Sequence, residues 1–242
     1  MQPSKTWLKL LSALGIFLIG CVSQPVSQPV PTPAWLYVQV PDSLLSLSDD
    51  FQACTPSGGG LALLSPLEPG TPQITLKWGE IQSSNSHAYE IGEEQLLFIV
   101  HPDNLIAQVR FEDIQKTYTG KLSSFNWQNL GGSNLPLTLT SYAPESEVTP
   151  LLLQILGISE ADLPRELVLV PSPQAMRTFI ANTPGGLGIL PSRWVDDSVR
   201  VLPLEGLSEP QTFPVLALST DEPQGHAYEW LSCLQNRLSE LP

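Results

Sequence analysis

Two runs decide the fold: LLFIVHPDN, Leu96–Asn104, and FEDIQKTYTGKLSSFNWQNLGGSNLPLTL, Phe111–Leu139. Leu96, Leu97, Phe98, Ile99 and Val100 follow one another without a polar break, the pattern of a strand covered on both faces. His101-Pro102-Asp103-Asn104 is a turn, because Pro presets φ and Asp and Asn favour turn backbones. Phe111–Tyr118 carries Glu112 and Asp113 in its first turn, and Gly120 lies just past its end, which predicts a helix with a stop. Leu135–Ser141 reads as another strand.

Outward from there the same alternation continues. Towards the amino end, Trp35–Val40, Leu61–Leu64 and Ile74–Trp78 read as strands, and Gly92–Val100 completes the buried one. Leu44, Leu45, Leu47, Phe51 and Cys54 are spaced as on a helix that opens after Pro41-Asp42-Ser43. Towards the carboxyl end, Val148–Leu156, Pro173–Asn182 and His226–Leu238 read as helices. Leu163–Val170, Leu187–Leu190, Val199–Leu204 and Phe213–Leu218 read as strands. Strands alternating with helices predict an α/β fold with a parallel sheet and right-handed crossovers.

The first residues have a different character. Lys5 and Lys9 precede Leu10–Gly20 (LLSALGIFLIG), a stretch too short for the roughly 20 residues that cross a bilayer. It has the length of a secretory h-region. It ends in Leu18-Ile19-Gly20-Cys21, which resembles the lipobox of bacterial lipoproteins. Residues 1–20 are therefore expected to be a lipoprotein signal peptide and Cys21 the lipidated first residue of the mature chain. An ordinary export signal with a chance Cys is the alternative. Residues 21–34 hold the repeat SQPV-SQPV, continued by Pro31-Thr32-Pro33, an extended tether. The expected location is extracytoplasmic, held to the cell membrane by lipid. Cys54 and Cys233 then remain as an even pair in an oxidising compartment, either joined in a disulfide or buried as two separate thiols.

Composition narrows the function. The 242 residues include 24 acidic and 11 basic ones, a net charge of −13. A nucleic-acid groove needs clustered Lys and Arg, so that class is disfavoured. Charged residues make up only 14%, against the usual ~25%. Hydrophobic residues make up 42%, enough for a packed core. Three His and three Cys leave little for a multi-ligand metal site. The chain lacks the G-x-S-x-G, H-E-x-x-H and P-loop patterns. His101 reads as a hinge residue rather than a base, and Glu93-Glu94 and Glu145/Glu147 as solvated acidic surface rather than paired catalytic carboxylates. No enzyme, no cofactor and no metal are expected.

The order of motifs from Leu96 to Leu139 resembles phosphate-type substrate-binding proteins of ABC transporters, which have the type 2 periplasmic binding-protein fold. The resemblance rests on HPDN, Thr119-Gly120-Lys121, Trp127, Gly131-Gly132 and Pro136. It continues in Asn182–Ile189 (NTPGGLGI) and Phe213–Leu216, and covers roughly residues 90–238 and, more weakly, 35–80. It implies a two-lobed α/β protein with a cleft: 35–98 as lobe 1, 99–204 as lobe 2, and 205–242 returning to lobe 1 with the last helix. That return would bring Cys233 towards Cys54. The implied function is capture of a small polar or anionic ligand by a monomer that serves an ABC permease. A binding-fold lipoprotein without transport, acting as a sensor or envelope scaffold, is the alternative.

Such proteins hold oxyanions with backbone N–H groups and with Ser and Thr hydroxyls. Ser43, after the first strand, either donates to an anion or caps a helix. Trp78, after the third strand, either walls the cleft or belongs to the lobe-1 core. Ser146 and Thr149 occupy the position of the family's Gly-Ser-Gly-Thr-like run, with Glu145 and Glu147 in place of the glycines. Thr183, Gly185 and Gly186 are the last candidates. Arg193 is the nearest cation, or else pairs with Asp196 or Asp197.

Overall fold

The computed structural model describes residues 34–81, 86–207 and 211–239. The signal, Cys21 and nearly all of the tether lie outside these residues. In chain order the strands are β1 (Trp35–Gln39), β2 (Gly60–Leu64), β3 (Ile74–Trp78), β4 (His87–Val100), β5 (Val109–Arg110), β6 (Thr138–Tyr142), β7 (Val168–Val170), β8 (Gly186–Pro191), β9 (Arg200–Val201), β10 (Leu204–Glu205) and β11 (Thr212–Ser219). The helices are α1 (Ser48–Ala53), α2 (Phe111–Tyr118), α3 (Val148–Leu156), α4 (Pro173–Ala181) and α5 (His226–Ser239). The main sheet runs β2-β1-β3-β11-β4-β8-β6-β7.

This sheet is mixed, where a parallel one was expected. β1 is parallel to β2 and β3, and β6 is parallel to β7 and β8. Between these two parallel groups, β11 inserts antiparallel to both β3 and β4, and β4 is antiparallel to β8. The long β4 is the common member. His87–Gln95 pairs with β11, and Leu96–Val100 pairs with β8. Its first residues, His87–Ile91, were missed because HAYE is exposed or half exposed. A bulge between Val215 and Leu216, opposite Ile91, bends the ladder there.

Local rules explain most boundaries. In β1, Leu36 and Val38 point into the core while Trp35 and Tyr37 face outwards, the period-2 pattern of a half-covered strand. In α2, Ile114, Thr117 and Tyr118 form the buried stripe, with Lys116 in the last turn. Ser172 caps α4 by accepting from the Ala175 N–H at 3.2 Å, and Pro173 occupies the first turn. The helix expected over 44–54 is a 3-10 turn, Asp42–Leu47, that runs into α1. Pro203 lacks an N–H and splits the strand expected over 199–204 into β9 and β10.

The disulfide forms: Cys54, just past α1, bonds Cys233 of α5 with a Cα–Cα distance of 5.6 Å. Around it, the Trp230 indole N–H donates to the Phe51 carbonyl at 3.1 Å and their rings lie 5.7 Å apart. The last helix is thus fixed to the first. No helix among the described residues is long and apolar enough to cross a membrane.

Candidate functional site

Parallel strands deliver their carboxyl ends to one edge of a sheet, where crevices for ligands form. Here β1 ends in Val40-Pro41-Asp42-Ser43, β3 in Trp78-Gly79, and β6 in the loop Ala143–Glu147 that opens α3. The first and third meet. Ser43 is only 2% exposed, and its hydroxyl donates to the Glu147 carboxylate. The Ser43 carbonyl accepts from the Trp194 indole N–H at 2.8 Å. One serine therefore joins the exits of β1, β6 and β8.

Burial pushes the Glu147 carboxyl above the usual glutamate range; the Ser43 hydroxyl and backbone N–H pull it down, and the Asp42 charge pushes it up further. The expectation of a solvated acidic surface fails for this residue. Glu145 is exposed, whereas Glu147 is turned inwards on Ser43.

The second loop packs rather than opens. Trp78 is 1% exposed and meets Phe213 edge-on, with ring centroids 6.2 Å apart, so it belongs to the core. Its indole N–H has no hydrogen-bond partner among the described residues. Gly79 has φ +91°, and a Cβ there would lie 2.6 Å from a Leu151 methyl. Only glycine lets α3 approach the end of β3 so closely.

Ser146 and Thr149 shape the loop. The Ser146 hydroxyl accepts from the Val148 N–H at 3.3 Å, and the Thr149 hydroxyl donates to the Ala143 carbonyl at 2.9 Å. Both bonds stay within the segment that presents Glu147.

Thr183, Gly185 and Gly186 are not brought to Ser43. Gly186 pairs with Thr138, at the start of β6, whereas Glu147 follows its end. The Gly185 carbonyl accepts from the Trp127 indole N–H and the Thr138 N–H, both at 2.9 Å. A Cβ on Gly185 would lie 1.9 Å from the Pro136 carbonyl oxygen. Trp127, Pro136 and Gly185 thus form one packed corner at the opposite edge.

Two further acids and bases were misplaced by the sequence reading. Glu94, expected on the surface, is 2% exposed. Arg193 pairs with it at 2.9 Å, not with Asp196 or Asp197, and Asp196 pairs with Arg177 at 2.9 Å instead. Period 2 along β4 carries the missed signal: Glu94, Leu96 and Phe98 share the buried face. Among the described residues no group of three His, Cys, Asp or Glu side chains is placed to hold a metal.

No family model matches the chain. A stretch of 109 residues, 45% of the chain, is 30% identical to the phosphate-binding protein PstS of Bacillus subtilis (strain 168), and it spans only 35% of that protein. A Clostridium perfringens crystal structure, described as a phosphate ABC transporter substrate-binding protein with bound phosphate, superposes with a TM-score of 0.74 at 16% identity, over 83% of this chain and 92% of that one. The reduced regulatory domain of OxyR from Pseudomonas aeruginosa superposes at 0.61 with 13% identity, over 86% and 98%. The same architecture thus occurs in a transport receptor and in a regulatory domain. The chain has the two-lobed α/β fold of the type 2 periplasmic binding proteins.

Proposed function

We propose that the chain is an extracytoplasmic solute-binding protein of the phosphate type, which captures a small polar or anionic ligand and presents it to an ABC permease. The observation that carries this reading is the buried Ser43 hydroxyl already engaged on a carboxylate, oxyanion-holding chemistry at the edge where the fold brings strand ends together. Binding and lobe closure are the whole mechanism, and nothing is turned over. Residues 35–98 and 205–242 would form lobe 1 and residues 99–204 lobe 2. Lipid on Cys21 would anchor the chain as a monomer, with residues 21–34 as the tether.

One observation favours a second reading, a sensor or envelope scaffold without transport: the anion on Ser43 is the chain's own Glu147. Melting curves of the wild-type chain with phosphate, phosphonate, sulfate, molybdate and small organic acids separate the two. Capture expects a saturable rise in Tm with at least one of them. A flat response to every compound would leave the scaffold.

A further inference from the structure

We propose that Glu147 determines specificity by occupying the oxyanion cradle of its own protein. This inference rests on the solute-binding reading of the same site. A hydroxyl donates one hydrogen bond. The Ser43 hydroxyl goes to the Glu147 carboxylate, and the Ser43 carbonyl is taken by Trp194. An incoming oxyanion that uses the Ser43 hydroxyl must therefore displace Glu147 from a charge-assisted hydrogen bond. The displaced carboxylate stays close, because its residue begins α3 and Leu151 one turn on is packed against Gly79. Asp42, adjacent to Ser43, adds a second negative charge. A fully ionised phosphate meets both, and a neutral solute, or one that brings its own hydrogen-bond donor, meets neither penalty in full. The cradle is thus selective against the dianion that its fold would otherwise suit.

Calorimetric titration of inorganic phosphate into the full chain tests this, with the wild type, Glu147→Ala, Glu147→Gln and the double variant Glu147→Ala/Ser43→Ala. Glu147→Ala should bind phosphate at least about tenfold more tightly than the wild type, since a charge-assisted bond no longer has to be broken. The double variant should lose that gain. Glu147→Gln keeps the shape of the side chain and removes its charge, so it should show a smaller gain even if the alanine variant folds poorly. The inference is overturned if neither single variant binds phosphate more tightly than the wild type. If the wild type meanwhile binds another of the anions tested by melting, the solute-binding reading survives that failure. If Glu147→Ala gains phosphate binding while the wild type binds none of them, the inference holds and native capture fails.

Discussion

The Glu94 carboxylate, buried in β4, lies 2.9 Å from the guanidinium of Arg193, beyond the end of β8. It also accepts from the Ser192 hydroxyl and, at 3.2 Å, from the Arg193 backbone N–H. This cluster pins the exit of β8 to β4, the strand that pairs with both β8 and β11. Trp194, the next residue, reaches Ser43. The Glu94–Arg193 ion pair is therefore linked through Trp194 to the backbone of Ser43.

Removing the cation should cost more than removing both charges. Arg193→Ala leaves the Glu94 carboxylate buried with two hydrogen bonds and no counter-charge. We expect a loss of about 2–3 kcal/mol, below the upper range for buried pairs because Arg193 is partly exposed. Glu94→Gln/Arg193→Ala should recover part of it. Urea unfolding of the three chains measures the difference, and an Arg193→Ala midpoint equal to wild type would remove the pair from any structural role.

The disulfide closes a loop between residues 179 apart in sequence. Its loss releases that constraint in the unfolded chain, with a typical cost of about 2–5 kcal/mol. Cys54→Ser/Cys233→Ser should melt well below the wild type, and reductant should lower the wild-type Tm without altering the double variant. An unchanged Tm in the variant would show that the non-covalent contacts of α5, Phe51–Trp230 and Arg237–Asp50 among them, hold it in place without the bond.

Glu147 gives stability a defined pH dependence. Burial raises its folded-state pKa above the unfolded value, so the folded state binds the proton more tightly. Its contribution is complete below the ordinary glutamate range and is lost as pH rises through the raised folded value. The wild type should therefore lose stability relative to Glu147→Gln across that window. Denaturation midpoints of both chains from about pH 4 to about pH 8 provide the check. A constant difference between them would mean that the carboxyl titrates alike in both states.

Much of the frame was legible in the chain because short-range rules set it. Phe111–Tyr118 and Val148–Leu156 form as read, since their stripes and stops are local. The motifs that suggested the family turned out to be architectural: Trp127 and Pro136 build the corner around Gly185, far from Ser43 along β6. The site was legible in part. Ser43 could be placed because it follows a strand and opens a turn. Glu147 was seen as a change of residue type, but its contact with Ser43 joins positions 104 apart, which no local pattern encodes. Trp194 gave no signal, as its indole bonds a backbone carbonyl. The mixed sheet was missed for a similar reason: β11 finds its place between β3 and β4 through long-range pairing.

The most direct test of the account is the affinity of the wild type and Ser43→Ala for whichever anion gives the largest melting shift, measured by calorimetric titration. Capture at the Ser43 cradle expects one saturable site in the wild type and at least about a tenfold loss in Ser43→Ala, the usual effect of removing a hydrogen bond to a charged group. Equal affinity in the two chains would place the solute elsewhere and contradict the assignment of this edge as the binding site.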